Sequence, residues 1–239
     1  MKHNLLSTIP SGKRSIKLTP TSKLYQAYAA AIQRYCPALP SDYPYNISLC
    51  HERRFLWYRV AKVCTRTVFA AFDKAGLTLD ADHSMRCYYS PKHFRDYFKF
   101  AFVRCPWDRL ASCWRHKVLE ANYFGFTPGQ RQSMSEFESF VDWVSTRELE
   151  ACDFHLRLQC RLIDLNHVDF VGRFENFEND FRAVAARIDL PVGKIPHENA
   201  SASSSRHIDV YNARTRKLVA DLYARDFAIF GYDPERVER

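Results

Sequence analysis

Two short stretches of this chain combine cations and hydroxyls at the spacing a phosphate site needs. In Val60-Ala-Lys62-Val63-Cys64-Thr65-Arg66-Thr67, a lysine, an arginine and two threonines fall between an apolar run and an expected helix. Backbone N–H groups at a helix N-terminus point at an anion, the helix dipole favours it, and Lys62 adds a full charge. In Phe98-Lys-Phe-Ala-Phe-Val-Arg104-Cys-Pro-Trp-Asp-Arg109-Leu-Ala-Ser112, an apolar run stops at an arginine and a helix opens at once. A guanidinium suits the forked recognition of phosphate, and Ser112, about two helical turns on, supplies a hydroxyl. The first stretch contains no glycine and does not read G-x-x-x-x-G-K-[ST], which disfavours a nucleoside-triphosphate loop. Cys152, His155 and Cys160 fall short of the four ligands of a complete zinc site, so no metal is expected.

The elements that must position these residues follow from apolar spacing. Phe55–Val60 reads as a first strand and 67–75 as the helix after it, closed by Gly76. Phe100–Val103 is apolar without alternation, as in a strand covered on both faces. Pro106 suits the first helical position, and Trp107, Leu110, Ala111, Trp114 and Val118 then form a helical stripe with Ser112 off it. Arg104 thus stands at the carboxyl end of a buried strand, where open α/β sheets bind ligands. Further on come a turn at 127–129, a helix over 135–145 and a strand over 168–172. A helix capped by Asn176 then carries Phe177, Phe181, Val184 and Ile188. A polar loop over 200–205 precedes a last helix, 211–225, expected to bury Leu218, Leu222 and Tyr223 ahead of the aromatic tail of Phe227, Phe230 and Tyr232. A helix over 22–34 and a loop around Pro37, Pro40 and Pro44 come before the first strand.

At 239 residues with 46% hydrophobic content, the chain can bury a full core, and the simplest count is one domain over 1–239. Residues 1–50 would form the N-terminal helix and Pro-rich loop, and 55–233 the core. A net charge of +8 favours an anionic partner. No apolar run approaches the roughly 20 residues of a membrane span, and the polar start lacks the apolar core of a secretory signal, so a soluble chain is expected. The eight cysteines read mostly as thiols, since Cys64, Cys105 and Cys113 fall where pairing would distort the proposed phosphate elements.

Together the two junctions resemble the paired nucleotide signatures of sulfotransferases that use 3′-phosphoadenosine-5′-phosphosulfate (PAPS), in the carbohydrate branch and its bacterial relatives. In that family P-K-x-[AG]-[SCG]-[TS] follows the first strand, and F-x-F-V-R-x-P-[WFY]-[DE]-R-L-x-S comes later. The second is matched from Phe100 to Ser112. In the first, Ala61 stands where proline is usual and Arg66 where a small residue is usual. Asp169-Phe-Val-Gly-Arg173-Phe-Glu175 is similar to D-F-V-G-[RK]-F-E, and His197-Glu-Asn199-Ala-Ser to H-x-N-x-S. Tyr223-Ala-Arg-Asp226-Phe-Ala-Ile-Phe-Gly-Tyr232 is similar to Y-x-x-D-F-x-x-F-G-Y, and His155-Leu-Arg-Leu-Gln159 to H-x-x-P-Q without its proline.

The resemblance implies an α/β, P-loop-like three-layer fold with a central, mostly parallel sheet flanked by helices. It implies transfer of a sulfonate from PAPS to an acceptor hydroxyl, on a carbohydrate or another acceptor that surplus positive charge would let be anionic, without metal, nucleic acid or a membrane span. Lys62 would stabilise the departing 5′-phosphate, with Val63, Cys64, Thr65, Arg66 and Thr67 around the phosphosulfate. Arg104 and Ser112 would hold the 3′-phosphate, and Arg173 would touch the nucleotide. A general base is needed near neutral pH. His83 lies where a histidine precedes the F-V-R strand in bacterial relatives and heparan sulfate 2-O-sulfotransferases; His93, and then His51 with Glu52, are further candidates. Ser204, Ser205 and Arg206 would form a lid. The missing anchor and the thiols point to a bacterial cytoplasmic enzyme rather than a Golgi-lumen fragment. Two alternatives stay open: a degenerate nucleotide-binding homologue, and a P-loop-type kinase or ATPase. An RNA-recognition strand is disfavoured by Phe98, Lys99 and Cys105.

Overall fold

The computed structural model describes residues 41–193 and 209–235. The expected helix over 22–34, the 200–205 loop and the stretch His197–Ser201 lie outside them. The chain packs into two compact units. The described part of one is built from 41–60, 65–102 and 162–193, and that of the other from 61–64, 103–161 and 209–235.

The first unit holds the sheet. Its strands are β1 (Tyr45–Cys50), β2 (Phe55–Tyr58), β3 (Ala81–Cys87), β4 (Phe98–Val103) and β5 (Phe170–Arg173), in the order β3-β1-β2-β4-β5. β1 is antiparallel to both β2 and β3, and β2 is parallel to β4. Hence β2, β3 and β4 point one way and β1 runs against them. The α/β class and its mostly parallel sheet are as the resemblance implied.

Two strands, β1 and β3, come from stretches where no strand was expected. In β1, Asn46 and Ser48 interrupt the apolar run, yet both are satisfied inside the sheet: Asn46 Oδ1 accepts the Arg86 N–H at 2.9 Å, and Ser48 Oγ donates to the Asp82 carbonyl. β3 is polar and meets β1 with two register shifts, so its side chains do not alternate cleanly.

One face of the sheet is aromatic. Trp57 stacks on Phe100 at 6.0 Å, and Phe55 and Trp57 meet Phe72 and Phe69 of α1 (Thr65–Lys74). Phe102 packs against Phe177 and Phe181 of α5 (Phe177–Arg187). Burying each such ring contributes roughly 1.5–3 kcal/mol. Gly172 of β5 permits this approach: a Cβ there would lie 2.5 Å from Phe102 Cε1. On the other face the Tyr58 and Tyr89 hydroxyls join at 2.6 Å, and Tyr89 donates to Asp164. Asn176 precedes α5 but does not cap it; its amide donates to Asp180, whose other oxygen accepts the Arg173 N–H.

The second unit is helical. α2 (Pro106–Cys113) has Pro106 at its first position and every residue buried, so its surroundings enclose it beyond the expected stripe. It runs on as a π-helix over Trp114–Glu120. Where a turn was expected stands α3 (Pro128–Met134), because Thr127 and Gln130 cap each other reciprocally. α4 (Phe137–Ser145) follows as anticipated.

The last expected helix is two, α6 (Ala213–Leu222) and α7 (Ala224–Phe230), which meet at Tyr223, whose hydroxyl donates to the Leu156 carbonyl at 2.7 Å. Thr215, Val219 and Tyr223 are buried, whereas Leu218 and Leu222 are only half-buried. Trp107 is held by Tyr211 and Phe227, with ring centroids 5.0 and 5.5 Å away. No helix among the described residues is long and apolar enough to cross a membrane.

Candidate active site

The loop between β2 and α1 turns without glycine. Lys62 and Cys64 adopt φ of +72° and +58°, a left-handed backbone that costs about 1–2 kcal/mol for each L-residue. Strain of this kind persists where the surroundings impose it and gathers at functional loops. Successive N–H groups in such turns can form a concavity for an anion. Lys62 is half-buried, Val63 fully buried and Cys64 half-buried, all in the second unit. Thr65, Arg66 and Thr67 follow as the first residues of α1, in the first unit. Thr65 Oγ1 donates to the Val60 carbonyl at 3.2 Å, Arg66 is exposed and Thr67 is buried.

Arg104 directly follows β4 and is 5% exposed. Its peptide group is held from both sides by one side chain: Gln159 Oε1 accepts the Arg104 N–H at 3.0 Å, and Gln159 Nε2 donates to the Arg104 carbonyl at 2.8 Å. Gln159 is in turn fixed by Asp226, which accepts the N–H groups of Gln159 and Cys160 at 2.7 and 3.0 Å. Burial raises the Asp226 pKa above the usual carboxylate value, against the pull of those N–H groups. The Arg104 guanidinium lies 4.0 Å from Asp108. Ser112 is buried on the same helix.

Arg109 joins the phosphate stretches. Its guanidinium donates to the carbonyls of Ala61 at 3.2 Å, Arg157 at 2.9 Å and Phe154 at 3.0 Å. It therefore fixes the Lys62 loop against the 152–157 segment within the second unit. That segment carries His155, buried and bonded through Nδ1 to Asp153 at 2.8 Å. Asp153 also accepts the Tyr123 hydroxyl at 3.0 Å. Burial lowers the His155 pKa to about 4 against the bond to Asp153, and the charges of Lys117 and Lys62 lower it further. His155 is thus neutral at pH 7.

The structure brings Lys62, Val63, Cys64, Arg104 and Ser112 into one unit, and places Thr65, Arg66, Thr67, His83 and Arg173 in the other. His83 lies on β3, half-buried, its ring stacked on Phe69 at 4.7 Å. Its Nδ1 is 3.8 Å from the buried Asp82 carboxylate. Arg173 is the last residue of β5 and half-buried, with its N–H on Asp180. Of the further candidates, His93 is exposed, and His51 Nδ1 meets the Tyr97 hydroxyl at 2.8 Å beside an exposed Glu52. No group of three or more His, Cys, Asp or Glu arranged to hold a metal occurs among the described residues.

The sequence reading passed over Arg109, Asp153 and Asp226 as working parts, and weighed Gln159 with His155 only as facing the acceptor, where the structure has Gln159 holding the Arg104 backbone. Arg109 and Asp226 stood inside the quoted motifs, and Asp153 lies two residues before His155. What they do is hold backbone, which residue type alone does not announce.

An α/β sheet with a strained lysine loop and a clamped arginine following a buried strand offers groups whose chemistry suits a phosphate. The family is more specific: a family model, "Sulfotransferase family", matches residues 45–233, and the chain belongs to that family. It is 26% identical over 212 residues to carbohydrate sulfotransferase 14 of Homo sapiens, a match covering 74% of this chain and 54% of that protein. The Mus musculus protein of the same name matches to the same extent. The chain thus spans about half the length of the curated relatives it matches. No solved structure matches significantly.

Proposed function

We propose that the chain transfers a sulfonate group from PAPS to a hydroxyl of a carbohydrate acceptor. The observation that carries this reading is the presence, within one unit, of the left-handed Lys62 loop, fixed by Arg109, and the buried Arg104, fixed by Gln159. The residues fit an anionic nucleotide: the loop offers an ammonium and a turned backbone, and the arginine offers a fork for phosphate. A P-loop kinase or ATPase would need glycines around the phosphates and an acidic metal ligand, and the Lys62 loop contains neither.

PAPS supplies a sulfonate joined to a 5′-phosphate. The S–O bond to that phosphate breaks as the acceptor oxygen bonds to sulfur, and the phosphate keeps the electron pair. Lys62, with the N–H groups of 62–64, stabilises the charge that grows on the leaving oxygen. Arg104 and Ser112 hold the 3′-phosphate; the resemblance alone assigns Thr65, Arg66, Thr67 and Arg173 to the donor. It likewise assigns the acceptor's proton to His83, whose Nδ1 has the Asp82 carboxylate 3.8 Å away within its own unit. A bacterial cytoplasmic setting is part of the same proposal, supported by the seven described cysteines being thiols.

Calorimetric titration with adenosine 3′,5′-bisphosphate tests the donor half, with 5′-AMP and ATP as controls. Micromolar binding that requires the 3′-phosphate is expected. Equal binding of all three, or of none, would reject the reading.

A further inference from the structure

The second unit holds a cluster that the transfer chemistry above does not use. Lys117 lies in the π-helical stretch after α2, half-buried, with its ammonium over the Tyr123 ring at 4.4 Å and no ion pair to a carboxylate among the described residues. π-Helical turns are rare and recur at functional sites. Tyr123 is 38% exposed, and the His155 ring meets its ring edge-on at 4.7 Å. The Tyr123 hydroxyl and His155 Nδ1 share Asp153, so one carboxylate fixes both rings.

The bond to Asp153 settles the His155 tautomer: Nδ1 carries the hydrogen, and Nε2 is left as an acceptor for a neutral donor such as a hydroxyl. The cluster also neighbours the transfer chemistry. Arg109 binds the carbonyl before Lys62 and the carbonyl before His155, and the Lys62 charge is felt at both His155 and Cys113. A partly covered cation, an amphipathic ring and a hydroxyl acceptor are what an acidic sugar requires. The ring covers apolar C–H surface, the ammonium meets an acid, and the imidazole orients a hydroxyl.

We propose that Lys117, Tyr123 and the Asp153–His155 pair form the wall that receives the acceptor and selects an anionic carbohydrate, its carboxylate or sulfate on Lys117 and a sugar hydroxyl on His155 Nε2. The proposal rests on the sulfotransferase reading for the identity of that ligand as an acceptor. It differs from the donor assignments in what it predicts for each variant.

The test is calorimetry on the full chain saturated with adenosine 3′,5′-bisphosphate, titrated with an unsulfated hexuronate–hexosamine oligosaccharide and with its carboxyl-reduced, neutral counterpart. The acidic sugar should bind about tenfold more tightly than the neutral one. Lys117→Met should remove that preference and Lys117→Arg should keep it, with bisphosphate affinity changed by less than about twofold in both, because neither touches the donor. Tyr123→Leu should weaken both sugars together. Equal binding of the two sugars, binding of neither, or a Lys117→Met variant that keeps the preference would overturn the proposal. Loss of bisphosphate affinity in Lys117→Met would overturn it too, by assigning the lysine to the donor. A wild-type chain that prefers the acidic sugar yet ignores the bisphosphate would instead sink the transferase reading and leave this wall standing.

Discussion

Lys62 and Arg104 both carry positive charge into the second unit, but their expected roles separate in kinetics. Charge that grows on the leaving phosphate exists only in the transition state, so Lys62→Ala should lower kcat by about a hundredfold or more while most of the bisphosphate affinity survives. Arg104 meets a phosphate that is charged throughout, so Arg104→Ala should weaken bisphosphate binding by about ten- to hundredfold. Near-normal turnover for the first variant, or unchanged affinity for the second, would reverse the assignments. His155 offers a third test, through pH. Its pKa falls from the ordinary 6.5 to about 4, so the fold favours the neutral ring. Between those values the unfolded chain binds the proton first. Stability from this residue is therefore complete above pH 6.5 and is lost as pH falls toward 4, by roughly 3 kcal/mol in all. An imidazole resonance titrating near pH 4 in the wild type would bear this out, and a midpoint near 6.5 would show that the ring is not held neutral.

Among elements, those with strong spacing were legible and those whose polar residues find partners inside the sheet were not. The run into Arg104, the Pro106 start and the stripe from Trp107 to Val118 could be read directly because they obey one period. So could β2, β5, α1, α4 and α5, within a few residues at their ends. β1 and β3 were missed because Asn46, Ser48, Asp82 and Ser84 look like loop residues, and only the folded sheet pairs the Asn46 and Ser48 side chains with the β3 backbone. The two phosphate stretches were found from residue type, whereas their supports could not be: Arg109 and Gln159 act on carbonyl and N–H groups that no spacing reveals. Those supports can be challenged. Gln159→Leu keeps much of the bulk but leaves the buried Arg104 N–H and carbonyl without their partner, at a cost of roughly 2–3 kcal/mol. It should also weaken bisphosphate binding by misplacing the Arg104 backbone. Gly172→Ala should cost a further, separate ~1–3 kcal/mol by forcing Phe102 away from α5, with no direct effect on the bisphosphate. Urea unfolding paired with calorimetry on each variant separates the two: a Gly172→Ala protein as stable as the wild type would show that β5 and Phe102 adjust freely.

For the molecule as a whole, the candidate donor site is a product of long-range folding. Lys62, Arg104, Gln159 and Asp226 are scattered over more than half the chain and become neighbours only when 61–64, 103–161 and 209–235 pack as one unit. An unfolded chain has no such arrangement, so a ligand of the site binds the native state alone and stabilises it by mass action. At a bisphosphate concentration of about 100 times Kd the gain is ~2.7 kcal/mol. For a chain of 239 residues this corresponds to a rise in Tm of roughly 5–10 °C. The net charge of +8 would let many polyanions bind weakly, and such binding is screened by salt. The rise should therefore persist at 0.5 M salt for adenosine 3′,5′-bisphosphate but not for inorganic phosphate at equal ionic strength. It should also disappear in Arg104→Ala. If both ligands shift Tm alike, or if the variant shifts as much as the wild type, the chain binds anions through its overall charge, and the Arg104 site is not where the nucleotide goes.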